Sequence, residues 1–392
     1  MHFTENHLIF LVFRIALTLT AVINALYISQ SKKTVTLKSF IPIIIAYTLY
    51  AGLRWGRGVD YNIYYWVYKD IVKGVGREDY EPLFVLLVKI FGLMGLEWKH
   101  FVFFMSLFLA VASCVFLKQF KKGLVFILPF WFLNINDAEN LQRWYLAFSV
   151  ILIGIPYLIK EDFKKFLILA FLGFLVHYGI VLVLFPLITI WYFSKKGILS
   201  PWISVTLYFL GYFLFSPDMM SIFTDFVTNV DIGTRFVGYQ NNAEEWLTGS
   251  NKDYLRGETS IANILPSLLI ILVGYFYVER NRGNRLIVIL YHWALLGIVF
   301  LPIAIQIELL GRICSPFTIF KFLFLAILLY DILITKIKVR KLVYYLCLVV
   351  FIYYAFKPVI IYPLIQGKKF TYYIWDSKGK GTQTLTHDDI DK

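Results

Sequence analysis

The feature that most limits the fold of this chain is a succession of apolar runs, most of them near the ~20 residues a helix needs to cross a bilayer, with short basic loops between many of them. The runs fall near residues 8–29, 38–54, 99–117, 123–135, 142–159, 198–215, 261–278, 286–305, 313–331 and 342–362. A membrane barrel is excluded, because its strands would be about half as long and would alternate in polarity. Composition agrees: 59% of the 392 residues are hydrophobic and 16% charged, too little polar surface to cover such a core in water. The expected fold is all-α, a polytopic integral membrane protein with about 11–14 transmembrane helices, some short or re-entrant, and one long external loop. Residues 1–366 are expected to form a single transmembrane domain and 367–392 a polar C-terminal tail. Residues 1–7 lack the basic stretch of a cleaved signal peptide, so the first span is expected to remain in the mature protein.

The formal net charge of +13 invites a nucleic-acid reading, but 18 of the 38 Lys and Arg lie in six short loops between spans. These are Lys32/Lys33/Lys38, Lys118/Lys121/Lys122, Lys160/Lys164/Lys165, Lys195/Lys196, Arg280/Arg282/Arg285 and Lys336/Lys338/Arg340/Lys341. They read as topology signals that place the loops in the cytoplasm, and no nucleic-acid partner is expected. Parity then constrains two awkward segments. The apolar stretch 166–193 has basic loops at both ends, so two short helices meeting near His177 are required. Residues 82–94, with Lys89 in the middle, suit a re-entrant or interfacial helix. The external side receives 54–81, 134–142, the apex at His177, the loop 216–260 and a turn at 308–312; the long loop carries seven acids against Arg235, Lys252 and Arg256. Cys114, Cys314 and Cys347 have neither metal-ligand nor disulfide spacing and read as small core residues; no metal or cofactor is expected.

Chemistry-bearing residues concentrate on that external side. A fixed cation at a membrane boundary costs free energy unless it meets an anion, and phosphate is the natural one there. Arg54, Arg57, Arg143, Arg235 and Arg312 are such cations. Around the first two, Trp55, Asp60, Tyr61, Tyr64 and Tyr65 offer a carboxylate and rings that stack on sugars, although an interfacial aromatic belt accounts for the rings equally well. Glu81 precedes Pro82 where an acid suits a helix N-terminus. Arg143, beside Gln142 at the start of a helix, opposes the dipole and calls for an anion, either a ligand phosphate or a structural partner such as Asp137. His177 reads either as a hydrogen-bonded core histidine or as an acid/base group. Glu308 and Arg312 share a face if helical and can simply pair; Arg235 and Tyr239 set a cation beside aromatics.

Taken in order, these residues resemble the EpsG family of polysaccharide polymerases, distant relatives of the Wzy O-antigen polymerases. The resemblance runs from about Arg54 to Arg312. Arg54 with Gly58-Val59-Asp60-Tyr61 is similar to the family's Arg and Gly-Thr-Asp-Tyr, with Val59 for threonine. Glu81-Pro82-Leu83-Phe84 is similar to Glu-Pro-Gly-Phe, with Leu83 for glycine. Gln142-Arg143 with Ala147 and His177 match further motifs, and Arg235-Phe236-Val237-Gly238-Tyr239 and Glu308 with Arg312 match two more loosely. The resemblance implies a glycosyltransferase that joins undecaprenyl-pyrophosphate-linked oligosaccharide units on the external face of the bacterial inner membrane, alongside a flippase and a chain-length regulator. It implies substrate contacts from Arg54, Arg57, Tyr61, Gln142, Arg143, Arg235, Tyr239 and Arg312, and a base among Asp60 and His177, with Glu81 and Glu308 in reserve. Two other readings remain open: a membrane glycosyltransferase with a polyprenyl-phosphate monosaccharide donor, and a flippase or exporter of lipid-linked glycans.

Overall fold

The computed structural model describes residues 5–31, 34–55, 60–75, 80–214, 261–302, 308–335, 339–361 and 371–372. They form fourteen α-helices and one two-residue strand pair, so the protein is all-α and polytopic, as its apolar runs require. Five helical segments, Leu8–Gln30, Trp98–Leu117, Gln142–Ile159, Cys314–Leu333 and Lys341–Ile361, are long and apolar enough to cross a membrane, and shorter apolar helices lie between them. The chain is a multi-pass membrane protein. By its internal contacts it divides into two compact units, residues 1–181 with 351–392, and residues 182–350.

The first unit begins with α1 (Glu5–Gln30), α2 (Ile41–Gly52), α3 (Tyr61–Lys73) and α4 (Pro82–Leu93). It continues with α5 (Trp98–Leu117), α6 (Leu124–Asn134), α7 (Gln142–Ile159) and α8 (Phe163–Val176). Three hydrogen bonds orient its helix ends. Lys121 donates to the Ser31 carbonyl (2.7 Å) and Asn24 to that of Ser39 (2.8 Å), which gathers the basic loops at one end. Arg14, buried in α1, donates to the carbonyl of Leu133 (3.0 Å) near the other end of α6. At that other end lie the close of α2, the 135–141 link and the start of α7.

Residues 54–81, expected to be loop, contain α3. Buried Tyr61, Val67, Tyr68 and Ile71 recur at helical spacing, a stripe that an interfacial-belt reading of the tyrosines passes over. Tyr61 and Tyr68 meet the Trp98 ring of α5 (centroids 5.8 and 5.7 Å), and the Tyr68 hydroxyl donates to Leu96 O (2.7 Å). These contacts tie the far end of α4 to the start of α5, while Glu81 at its near end reaches the start of α7. Both ends of α4 therefore lie at the same end of the unit. Its 12 residues, about 18 Å of helix, are too short to cross the ~30 Å hydrocarbon core of a bilayer. Trp55 and Arg54 pair antiparallel with Thr371 and Tyr372.

α7 and α8 form the closest crossing in this unit that bears on chemistry. A Cβ on Gly173 would stand 3.3 Å from the Ala147 carbonyl and 3.0 Å from Ile151 Cδ1, so only two small residues let the backbones approach this far. Arg143 lies one turn before Ala147 and His177 one turn after Gly173, which brings their side chains to one place. As expected, the 166–193 stretch breaks at His177, whose backbone is extended (φ −157°, ψ 113°), before α9 (Val181–Phe193).

The second unit holds α10 (Pro201–Leu214), α11 (Ile261–Arg280), α12 (Arg285–Val299), α13 (Glu308–Leu333) and most of α14 (Lys341–Phe356). The expected turn at 308–312 is instead the first turn of α13. Near the basic loops His292 closes the α9–α10 link: Nε2 accepts from the Leu199 N–H (3.1 Å), and Nδ1 lies near Val288 O (2.8 Å) and the Ser194 hydroxyl (3.1 Å).

Candidate active site

Glu81 is the hub. As the residue before Pro82 it occupies the N-cap of α4, yet its side chain makes no cap hydrogen bond and turns toward α7 and α8. One carboxylate oxygen, Oε2, accepts from Arg143 Nη1 at 2.6 Å. The other, Oε1, lies 2.9 Å from His177 Nδ1 and accepts the Tyr178 N–H at 3.3 Å. The acid is 3% exposed, and the Arg143 and His177 side chains are 18% and 22% exposed. Burial alone would raise the carboxyl pKa; the His177 hydrogen bond and the Arg143 charge outweigh it and hold the group at about 2, against an ordinary 4.5. Glu81 is therefore ionised, and Nδ1 of His177 carries the proton that bonds to it.

In the neutral ring that tautomer leaves Nε2 of His177 as the lone-pair nitrogen. Among the described residues it has no hydrogen-bond partner. The surrounding shape keeps it clear: a Cβ on Gly179 would fall 3.2 Å from Nε2 and 2.7 Å from Trp144 Cζ3. Trp144 sits edge-on to the imidazole at 5.3 Å between ring centroids. On the other flank the Arg143 guanidinium lies over Tyr80 (4.3 Å to the centroid), with Tyr64 and Phe84 each at 5.6 Å, and its Nε reaches the Tyr64 hydroxyl at 3.5 Å. The cation is thus held flat between rings, and among the described residues its Nη2 donates to no protein acceptor.

The other expected site residues divide by location. Arg54 is buried and donates to Ala51 O (2.6 Å), capping the end of α2. It lines a cavity of about 20 Å³, room for about one water, with Gln142, Ser106 and Tyr145. Gln142 and Arg143 are consecutive and point to different sides of the first turn of α7, so this cavity and the Glu81 cluster stand back to back. The backbone N–H of Asp60 donates to Asn140 Oδ1 (2.8 Å), fastening the start of α3 to the link before α7. Tyr61 is fully buried against Trp98. Arg57, Arg235 and Tyr239 lie outside the described residues; Glu308 and Arg312 are placed in the first turns of α13 by backbone alone.

Two readings are corrected here. The carboxylate that meets Arg143 is Glu81, 62 positions earlier, and not Asp137. Glu81 does more than complement a helix dipole, since it binds side chains of two other helices. Tyr80, Phe84, Trp144 and Gly179 were given no site role from the sequence, although each is within three residues of Glu81, Arg143 or His177.

The described helices thus bring an arginine and a histidine onto one buried, ionised carboxylate in a polytopic membrane protein. The EpsG family model matches residues 37–374, most of the chain, and the chain belongs to that family. EpsG is a Wzy-like polysaccharide polymerase family, which assigns the protein a glycosyltransferase-like polymerase role in exopolysaccharide synthesis. No curated protein and no solved structure matches the chain.

Proposed function

We infer that this polymerase joins undecaprenyl-pyrophosphate-linked oligosaccharide units on the external face of the bacterial inner membrane, and that the Glu81–Arg143–His177 cluster is its reaction centre. The observation that carries this reading is the single buried carboxylate shared by a cation and an imidazole whose Nε2 is unobstructed. In the reaction a hydroxyl of one unit attacks the anomeric carbon of another, a new C–O bond forms, and the bond from that carbon to the diphosphate breaks. Nε2 of His177 takes the hydroxyl proton, and Glu81, as a positioning residue, stabilises the imidazolium. The electron pair of the broken bond leaves with the diphosphate, whose growing charge Arg143 is placed to meet. Arg54, Arg57, Arg235 and Arg312 remain candidates for further diphosphate contacts, with Asp60 and Glu308 as second-choice acids and Gln142 and Tyr239 as substrate contacts; Tyr61, fully buried against Trp98, is a packing residue. The placement of the cluster at the end opposite the basic loops favours the external face.

The test is chain growth by purified protein in liposomes supplied with lipid-linked repeat units. Wild type is expected to make a glycan ladder, while His177→Gln and Arg143→Ala leave single units on lipid. A ladder of normal length from both variants overturns the assignment. Transfer of one sugar from a polyprenyl-phosphate donor, or vesicle transport of units without joining, would replace the reaction itself.

A further inference from the structure

Glu81 occupies only part of the Arg143 guanidinium. Nη1 is committed to the carboxylate, while Nε and Nη2 present their N–H groups along another edge of the planar fork. Tyr64 of α3 shares that edge, with its hydroxyl 3.5 Å from Nε. A guanidinium nitrogen can only donate, so the hydroxyl oxygen is the acceptor and its own hydrogen turns away from the cation. Among the described residues neither that O–H nor Nη2 meets an acceptor. The position of the phenol is set by its helix. Tyr61, Tyr64, Tyr68 and Ile71 form one stripe at helical spacing, and all but Tyr64 are buried. Packing of Tyr61 and Tyr68 on Trp98, with the Asp60 N–H bond to Asn140, holds α3 on either side of Tyr64, which stays half-buried.

We propose that Tyr64 is a further catalytic residue of the polymerase: its hydroxyl and Nη2 of Arg143 donate together to the diphosphate oxygen that separates from the anomeric carbon. This role rests on the Glu81–Arg143–His177 reading of the reaction centre. Tyr64 keeps its proton throughout. The bond from the anomeric carbon breaks with its electron pair on the diphosphate oxygen, and the two donors stabilise the charge that gathers there. Accepting from a cation polarises the phenol, which makes its O–H a stronger donor than that of an isolated tyrosine. The charge on that oxygen grows as the bond breaks and is complete in the released diphosphate, so the contact favours departure more than initial binding.

Tyr64→Phe in the full-length protein tests it, because the substitution keeps the ring beside the cation and removes only the hydroxyl. In liposomes kcat for ladder formation should fall about 10²- to 10³-fold, while KM for the lipid-linked units changes by less than about threefold. In nanodiscs the variant should bind undecaprenyl pyrophosphate at least about 10-fold more weakly, the loss of one hydrogen bond to a charged group. Tyr27→Phe, at an exposed position of α1 near the basic loops, should match wild type in both assays. A wild-type kcat, a loss confined to KM, or unchanged affinity for undecaprenyl pyrophosphate in Tyr64→Phe overturns the proposal. If Arg143→Ala and His177→Gln still leave single units on lipid, the reaction centre survives that result; if they too make a normal ladder, it falls as well. Should Tyr64→Phe fail to fold, nitration of the wild-type protein by tetranitromethane decides. Bound undecaprenyl pyrophosphate should suppress modification of Tyr64 and leave that of Tyr27 unchanged, and equal modification of Tyr64 with and without it overturns the proposal.

Discussion

Replacing Glu81 by glutamine keeps the shape of the hub and removes its charge, so it isolates what the charge does. Holding a carboxyl at about 2 instead of 4.5 corresponds to about 3 kcal/mol in favour of the ionised form. Independently, breaking a buried ion pair from one side costs about 3–5 kcal/mol, because the remaining charge is stranded. Arg143 keeps 18% of its side chain exposed and three aromatic rings around it, which places the cost at the lower end, about 3 kcal/mol. The amide can still accept from His177 Nδ1–H, so the ring stays near its place but its protonated form loses its counter-charge. Chain growth should fall about 10²- to 10⁴-fold, the range of positioned acid–base catalysis. Two measurements check this: the rate of ladder formation in liposomes, and unfolding of Glu81→Gln, Arg143→Gln and the double variant in one detergent. The double variant should be less destabilised than the sum of the singles, since neither charge is then stranded. Wild-type ladder formation by Glu81→Gln, or strictly additive unfolding energies, would refute the shared-hub reasoning.

Three further outcomes are expected. Gly179→Ala should express and insert normally but lose most activity, because its Cβ must displace Trp144 or crowd Nε2; an unaltered ladder counts against His177 as the base. Because the folded pKa of Glu81 is depressed, its stabilisation is complete above pH 4.5 and disappears as pH falls through about 2, so melting curves of wild type and Glu81→Gln should converge across that window. Asn140→Ala removes the acceptor of the Asp60 N–H and should cost about 1 kcal/mol, loosening α3 in hydrogen exchange at residues 60–64; unchanged protection there argues against the link.

The helical membrane class was legible in the sequence because run length and loop charge are one-dimensional signals. The break at His177 was also legible, from parity alone. Glu81, Arg143 and His177 could each be singled out, but not their union: the partners are 62 and 96 positions apart, and nothing in a single chain pairs them. Proximity made Asp137 the natural partner for Arg143, whereas the small-residue crossing at Ala147 and Gly173 sets which acid can reach it. The helix at Tyr61–Lys73 escaped because its aromatic stripe also suits a membrane boundary. Arg54, read as an outward cation, is turned inward onto Ala51 O, a capping role that needs backbone geometry to recognise.

Because α4 precedes α7 and α8 in the chain and does not cross the bilayer, its acid leaves the ribosome before either partner exists. Tyr178, whose backbone N–H also binds Glu81, follows it by 97 residues. During biosynthesis this carboxylate has neither side-chain partner until α7 and the end of α8 have been made. The Glu81–Arg143–His177 cluster thus cannot assemble until residue 178 has been made, and a chain truncated before that point would lack it.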